Sequence, residues 1–145
     1  MSHTGLHVFD KTLQESNIWL KSLMDRLRTD DRDYAYAGLK ATLHALRDRI
    51  GPENAVHLAA QLPMLLRGMF YEGWRLANGA TRERHTAGFL EHVAQELPRT
   101  LYNEPEDIVR AVFEVVWERI DAGEVGKLIK VLPPELRELW RGVAG

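Results

Sequence analysis

The side chains able to do chemistry are few and dispersed. The chain has six histidines and no cysteine. Without cysteine there are no disulfides, thiolate metal sites, thiol nucleophile or iron–sulfur ligation. His85 and His92 lie seven residues apart and can share one helix face, but a metal site needs three or four converging ligands. No His-x-x-x-His or Glu-x-x-His pair falls within the expected helices. His44 is expected on the polar side of the second helix, near Arg47 and Asp48. His57 aligns with Lys127 in the repeat described below, and His3 and His7 fall in an N-terminal tail. The acid pairs Asp30/Asp31 and Glu104/Glu106 sit where helices should begin, a position that favours carboxylates without any catalytic task. Ser2, Ser16 and Ser22 lack a nucleophile elbow, and Gly73, Gly79 and Gly88 are too scattered for a phosphate loop. No catalytic residue, metal or cofactor is assigned, and the reading leans against an enzyme.

Two groups remain for binding rather than catalysis. Arg67 and Arg137, with Arg49 and Arg119, recur at equivalent places and are expected to satisfy carbonyls or carboxylates between two halves of the molecule. Met69, Phe70, Tyr71, Trp74 and Arg75, followed by Arg82 and Arg84, combine aromatic and cationic side chains, a composition enriched at protein interfaces. The formal net charge of −2, with Glu72 and Glu83 inside that segment, argues against nucleic acid as the partner.

The elements that must position these residues read as helices throughout. With 145 residues, 45% of them hydrophobic and 28% charged, the chain has the composition of an ordinary folded domain. No apolar run approaches the roughly 18 residues of a membrane span, and the first residues lack a secretory signal pattern. Leu13, Leu20, Leu23, Met24 and Leu27 give a first helix over 12–28, with Thr12 and Glu15 spaced as a capping box. The second helix is expected over 32–50, a short one over 53–61, and another from Pro63 whose residues Met64, Leu65, Leu66, Met69 and Phe70 are apolar on most sides. Residues 73–84 read as a loop. Helices follow over 86–97 and 105–122, the latter with a strand as the alternative for its β-branched stretch 108–117. A short helix after Gly123 and a last one from Pro133-Pro134 complete the series.

The same unit occurs twice. An ungapped offset of 70 pairs residues 19–70 with 89–140 and makes ten identities, among them Arg49/Arg119, Ile50/Ile120, Leu62/Leu132, Pro63/Pro133, Leu66/Leu136 and Arg67/Arg137; chance at average composition gives about three. The expected fold is therefore all-α: about eight helices in two tandem four-helix repeats, 12–72 and 85–142, joined by loop 73–84. Units this small bury little surface alone, so the two are expected to share one core about a pseudo-twofold axis.

Several blocks carry a family resemblance: Ala41-Thr-Leu-His-Ala-Leu-Arg-Asp-Arg-Ile50, Ala59-Ala-Gln-Leu-Pro-Met-Leu-Leu-Arg67, Tyr71-Glu-Gly-Trp-Arg75, Arg110-Ala-Val-Phe113, Ile120-Asp-Ala-Gly-Glu124, and Leu132-Pro-Pro-Glu-Leu-Arg137 with Trp140. From about Lys11 onward the chain resembles the bacterial family known as domain of unknown function 2267. The resemblance implies a small all-helical cytoplasmic protein, linked to stress responses only by context, with no established activity and no catalytic residues to carry over. The functional expectation is a protein acting through protein–protein contacts or self-association. The alternative is a small-ligand domain with an apolar pocket between the two repeats.

Overall fold

A computed structural model describes residues 4–141. Eight α-helices and one 3-10 turn, Leu76–Asn78, make up the regular structure among these residues, with no strand. The helices are α1 (His7–Leu27), α2 (Arg32–Ile50), α3 (Pro52–Ala60), α4 (Met64–Tyr71), α5 (Thr86–Ala94), α6 (Pro105–Arg119), α7 (Ala122–Lys130) and α8 (Pro134–Glu138). The β-branched stretch 108–117 is helical: it buries Ile108, Val109, Val112, Phe113, Val115 and Val116 in α6, and tertiary burial outweighs its strand propensity.

The boundaries follow local chemistry, though not always the residue first expected. Asp31 caps α2 by accepting from the Tyr34 N–H at 3.0 Å. Helix α1 starts five residues before Thr12. Its first turn is organised by Asp10, whose carboxylate accepts from the Thr4 hydroxyl at 2.8 Å and the Thr4 N–H at 3.0 Å. Thr12 therefore caps nothing; its hydroxyl accepts from the Leu65 N–H at 2.8 Å and ties α1 to the start of α4. His7 opens α1 rather than lying in a tail, whereas His3 and Ser2 lie outside the described residues. Helix α6 ends three residues earlier than expected, because Asp121 provides a better stop than Gly123. Its carboxylate accepts from the N–H groups of Gly123 and Glu124 and starts α7.

Helix α2 is the centre of the molecule. It packs on α1, α3, α4, α5 and α6, and twelve of its residues are buried. Gly38 lies where α2 crosses α6: a Cβ there would stand 3.0 Å from the Ile108 methyl. Gly38→Val is expected to cost about 1–3 kcal/mol by overpacking, read as a lower urea midpoint; an unchanged midpoint would show that the crossing has room to spare.

Four pairs of positions 70 apart lie near each other in space. Gly38 and Ile108 are one such pair. Asn54 and Glu124, His57 and Lys127, and Leu58 and Leu128 line one cavity between α3 and α7. The helix contacts are also reciprocal. Helix α1 packs on α6 as α5 packs on α2, and α1 on α4 as α5 on α8. Helices α3 and α7 begin and end 70 residues apart.

Candidate functional site

Three successive charged residues in the last turns of α2, Arg47-Asp48-Arg49, hold down the connection between α4 and α5. Arg47 is 4% exposed. Its Nη1 donates to the carbonyls of Phe70 at 2.8 Å and Glu72 at 3.0 Å, and its Nε to the Asp48 carboxylate at 2.8 Å. The Trp74 ring covers the guanidinium, with Cζ 5.7 Å from the ring centroid. The Asp48 carbonyl accepts from the Thr81 N–H at 2.8 Å. Arg49 Nε donates to the Glu83 carbonyl at 2.6 Å. The connection is thus tied near both of its ends.

Two histidines complete this network. His44, one turn before Arg47 on the same face, is 4% exposed. This corrects the expectation of a solvated polar face, which the connection and α5 cover. Its Nε2 donates to the Met69 carbonyl at 2.7 Å and its Nδ1 lies 2.9 Å from the Glu96 carboxylate, so it bridges α2, the end of α4 and the turn after α5. His92 on α5 stands between two carboxylates: Glu83 at 2.9 Å from Nδ1 and Asp48 at 3.4 Å from Nε2. Asp48 is the main cause that holds its pKa up at about 9; burial opposes this and Glu83 adds to it. For Asp48 burial works to raise the pKa, but the hydrogen bonds and charges of His92 and Arg47 outweigh it, so its carboxyl stays below the ordinary value. Each of these polar groups is engaged by another. The site contains no nucleophile beside a base, and among the described residues no three His, Asp or Glu side chains converge as a metal site requires.

The aromatic segment singled out in the sequence is drawn into this clamp. Met69 and Phe70 are buried in the core rather than displayed. Tyr71 and Trp74 are half-buried and stack on each other with centroids 5.7 Å apart. Arg75 is the exposed member of the five. Of the paired arginines, Arg67 donates to the carbonyls of Ala59 and Leu62, both at 3.1 Å. Arg137 donates to those of Leu132 at 2.7 Å and Lys130 at 3.2 Å. Each therefore satisfies open carbonyls at the end of the short helix before it, within its own half of the chain. Arg119 pairs with Glu118 at 3.0 Å, unlike Arg49. Arg67→Ala is expected to cost about 1–2 kcal/mol, seen as a lower melting temperature; no change would mean that water satisfies those carbonyls equally well.

A third feature was only half legible in the sequence, as the excess apolar surface of the helix from Pro63. Helix α4 splits its apolar residues: Leu66, Met69 and Phe70 point into the core, while Met64 and Leu65 are each 51% exposed. Beside them on α1 stand Phe9, 52% exposed, and Leu13, 38% exposed. A largely apolar cleft of about 400 Å³ lies between these four side chains, Gly68 and the two threonines Thr4 and Thr12. The α3–α7 cavity, by contrast, measures about 160 Å³ and mixes Asn54, His57, Gln61, Glu124 and Lys127 with leucines. The early start of α1, which brings Phe9 beside α4, was the missing signal.

The molecule so described is an all-helical protein with a closed polar clamp and an open apolar edge. Residues 16–139 match the family of uncharacterised conserved proteins DUF2267, and the chain belongs to that family. None of the curated proteins matches it. Among the described residues no helix is long and apolar enough to cross a membrane.

Proposed function

We propose that the protein works without catalysis, as a binding protein that self-associates through the apolar edge formed by α1 and α4. The observation that carries this reading is the contiguous exposure of Phe9, Leu13, Met64 and Leu65 around one cleft. Contiguous apolar surface of this kind marks interaction sites. The edge sets exposed side chains, Phe9, Met64 and Leu65, beside a cleft that they share with Leu13 and Gly68. A twofold contact needs both on the same patch, which favours a second copy of this chain over a different protein. The mutual engagement of the clamp residues supports assigning them to holding the fold rather than to chemistry.

The duplication is part of this reading. The offset of 70, the nearness of pairs 70 apart and the reciprocal helix contacts support two units, 12–72 and 85–142, related by a pseudo-twofold axis through a shared core. Phe9 and Thr12 of α1 have no counterpart in the shorter α5, so the apolar edge belongs to one unit only.

Sedimentation velocity over a wide dilution series tests the proposal. The expected result is a dimer that dissociates on dilution. A monomer at every concentration would contradict it, and a monomer that gains mass only with a different protein would transfer the edge to that partner.

A further inference from the structure

We infer that the cleft bounded by α1, α2 and α4 binds a single-chain amphiphile whose head is uncharged and carries a hydroxyl. The inference does not rest on self-association; its outer part is the same apolar edge, so ligand and second copy compete for it and saturating ligand should lower the dimer fraction.

Two cavities adjoin there. The inner one, about 480 Å³, has Leu20, Leu39, Leu66 and Met69 on its walls. The outer one, about 400 Å³, is the apolar cleft beside Phe9 and Met64. Leu13, Leu65 and Gly68 border both. Each lies within the size range of ordinary small-molecule sites, and in sequence they form an apolar trough that suits an extended chain.

The polar groups gather on the inner cavity. Arg32 Nη2 donates to Asn17 Oδ1 at 2.6 Å. Tyr36 lies one turn beyond Arg32, and Glu72 is close enough that its negative charge adds to burial in raising the Tyr36 phenol above its usual pKa. Ser16 lines the same cavity, and its buried hydroxyl has no hydrogen-bond partner. An unpaired buried hydroxyl is costly, and a ligand oxygen would relieve it.

These groups also choose the head. Arg32 offers donors and Glu72 offers an acceptor on the lining of the inner cavity. A hydroxyl can satisfy both. A carboxylate head gains from Arg32 what it loses to Glu72, and an ammonium head the reverse, so a charged head gets little net attraction for the cost of leaving water.

Gly68 gives a clean way to close the trough. A Cβ there meets nothing within 4 Å, so a larger side chain enters open space. The full chain is titrated with the uncharged fluorescent probe N-phenyl-1-naphthylamine, which is then displaced by 1-decanol or by decanoate, and the protein's mass is read in parallel. Saturable probe binding is expected, with 1-decanol displacing at about tenfold lower concentration than decanoate. Gly68→Phe should weaken probe binding by about tenfold while keeping its helical circular dichroism. Should that variant fail to fold, Gly68→Leu takes its place. Ser16→Ala should raise the melting temperature of the unliganded protein and weaken 1-decanol more than the probe. Unsaturable binding, or binding unchanged in the folded Gly68 variant, would overturn the site. Decanoate displacing as well as 1-decanol would overturn the uncharged head. A monomeric wild type that still binds the probe saturably would show that self-association fails while this site stands, and a dimer that never binds the probe would show the reverse.

Discussion

Arg47→Ala is expected to destabilise the protein by about 3–5 kcal/mol, the range for removing one partner of a buried charged network. The substitution strands the carbonyls of Phe70 and Glu72, takes a hydrogen bond from Asp48 and uncovers the inner face of Trp74. Domains of this size are stable by only about 5–15 kcal/mol in total, so the loss should be plain in a urea denaturation curve. Arg47→Lys is expected to recover only part of it. One ammonium keeps the charge but does not reproduce the planar fork that reaches two carbonyls and a carboxylate together. A loss below about 1 kcal/mol for Arg47→Ala would mean that the connection after α4 is held by its apolar contacts alone.

The second large effect is on pH. His92 has its pKa raised from the usual 6.5 to about 9 in the folded protein. Its charged form therefore stabilises the fold fully below about pH 6.5, and that contribution is lost as pH rises through about 9. Because the ring is partly open to solvent, the expected loss is discounted to about 1–2 kcal/mol. Asp48 acts in the opposite sense. Its folded pKa is lowered, so its contribution is present above the ordinary carboxyl range and is lost as pH falls through the lowered value. Stability should thus be greatest from weakly acidic to neutral pH. His92→Gln should flatten the alkaline limb of the profile and also shrink Asp48's share of the acid limb, because His92 helps to hold that carboxyl low. An alkaline limb unchanged in that variant would assign the effect to other groups.

The legible part of the fold was the part written in local chemistry. Periodic leucines, Asp31 before α2, and Pro52, Pro63, Pro105 and Pro133-Pro134 at helix starts mark most boundaries within a few residues. The start of α1 was hidden because Asp10 acts backward on Thr4, whereas Thr12 and Glu15 imitate a capping box whose hydroxyl is used in tertiary structure. The clamp was hidden for a different reason. His44, Arg47 and Asp48 look like the solvated face of an amphipathic helix, and only the end of α4, the folded-back residues 72–85 and α5 with its following turn cover them. One local signal pointed that way: Gly38, Ala41, Thr42 and Ala45 are small for a helix with a single buried stripe, as fits one enclosed on several sides. The apolar edge could be half seen. Helix α4 was recognised as too apolar for one buried face, but which residues face out depends on where α1 crosses it. The crossing sends Met64 and Leu65 outward and buries Met69 and Phe70.

The most direct test compares two surfaces in one experiment. Leu65→Glu places a charge in the apolar edge, and Arg75→Glu reverses a charge beside the aromatic segment. Both positions are exposed, so both variants should fold and melt close to the wild type. Light scattering during gel filtration is then read at matched concentrations. The proposed function requires a dimer for the wild type and for Arg75→Glu, and a monomer for Leu65→Glu. A Leu65→Glu variant that stays dimeric, or a wild type that is monomeric throughout, would contradict it.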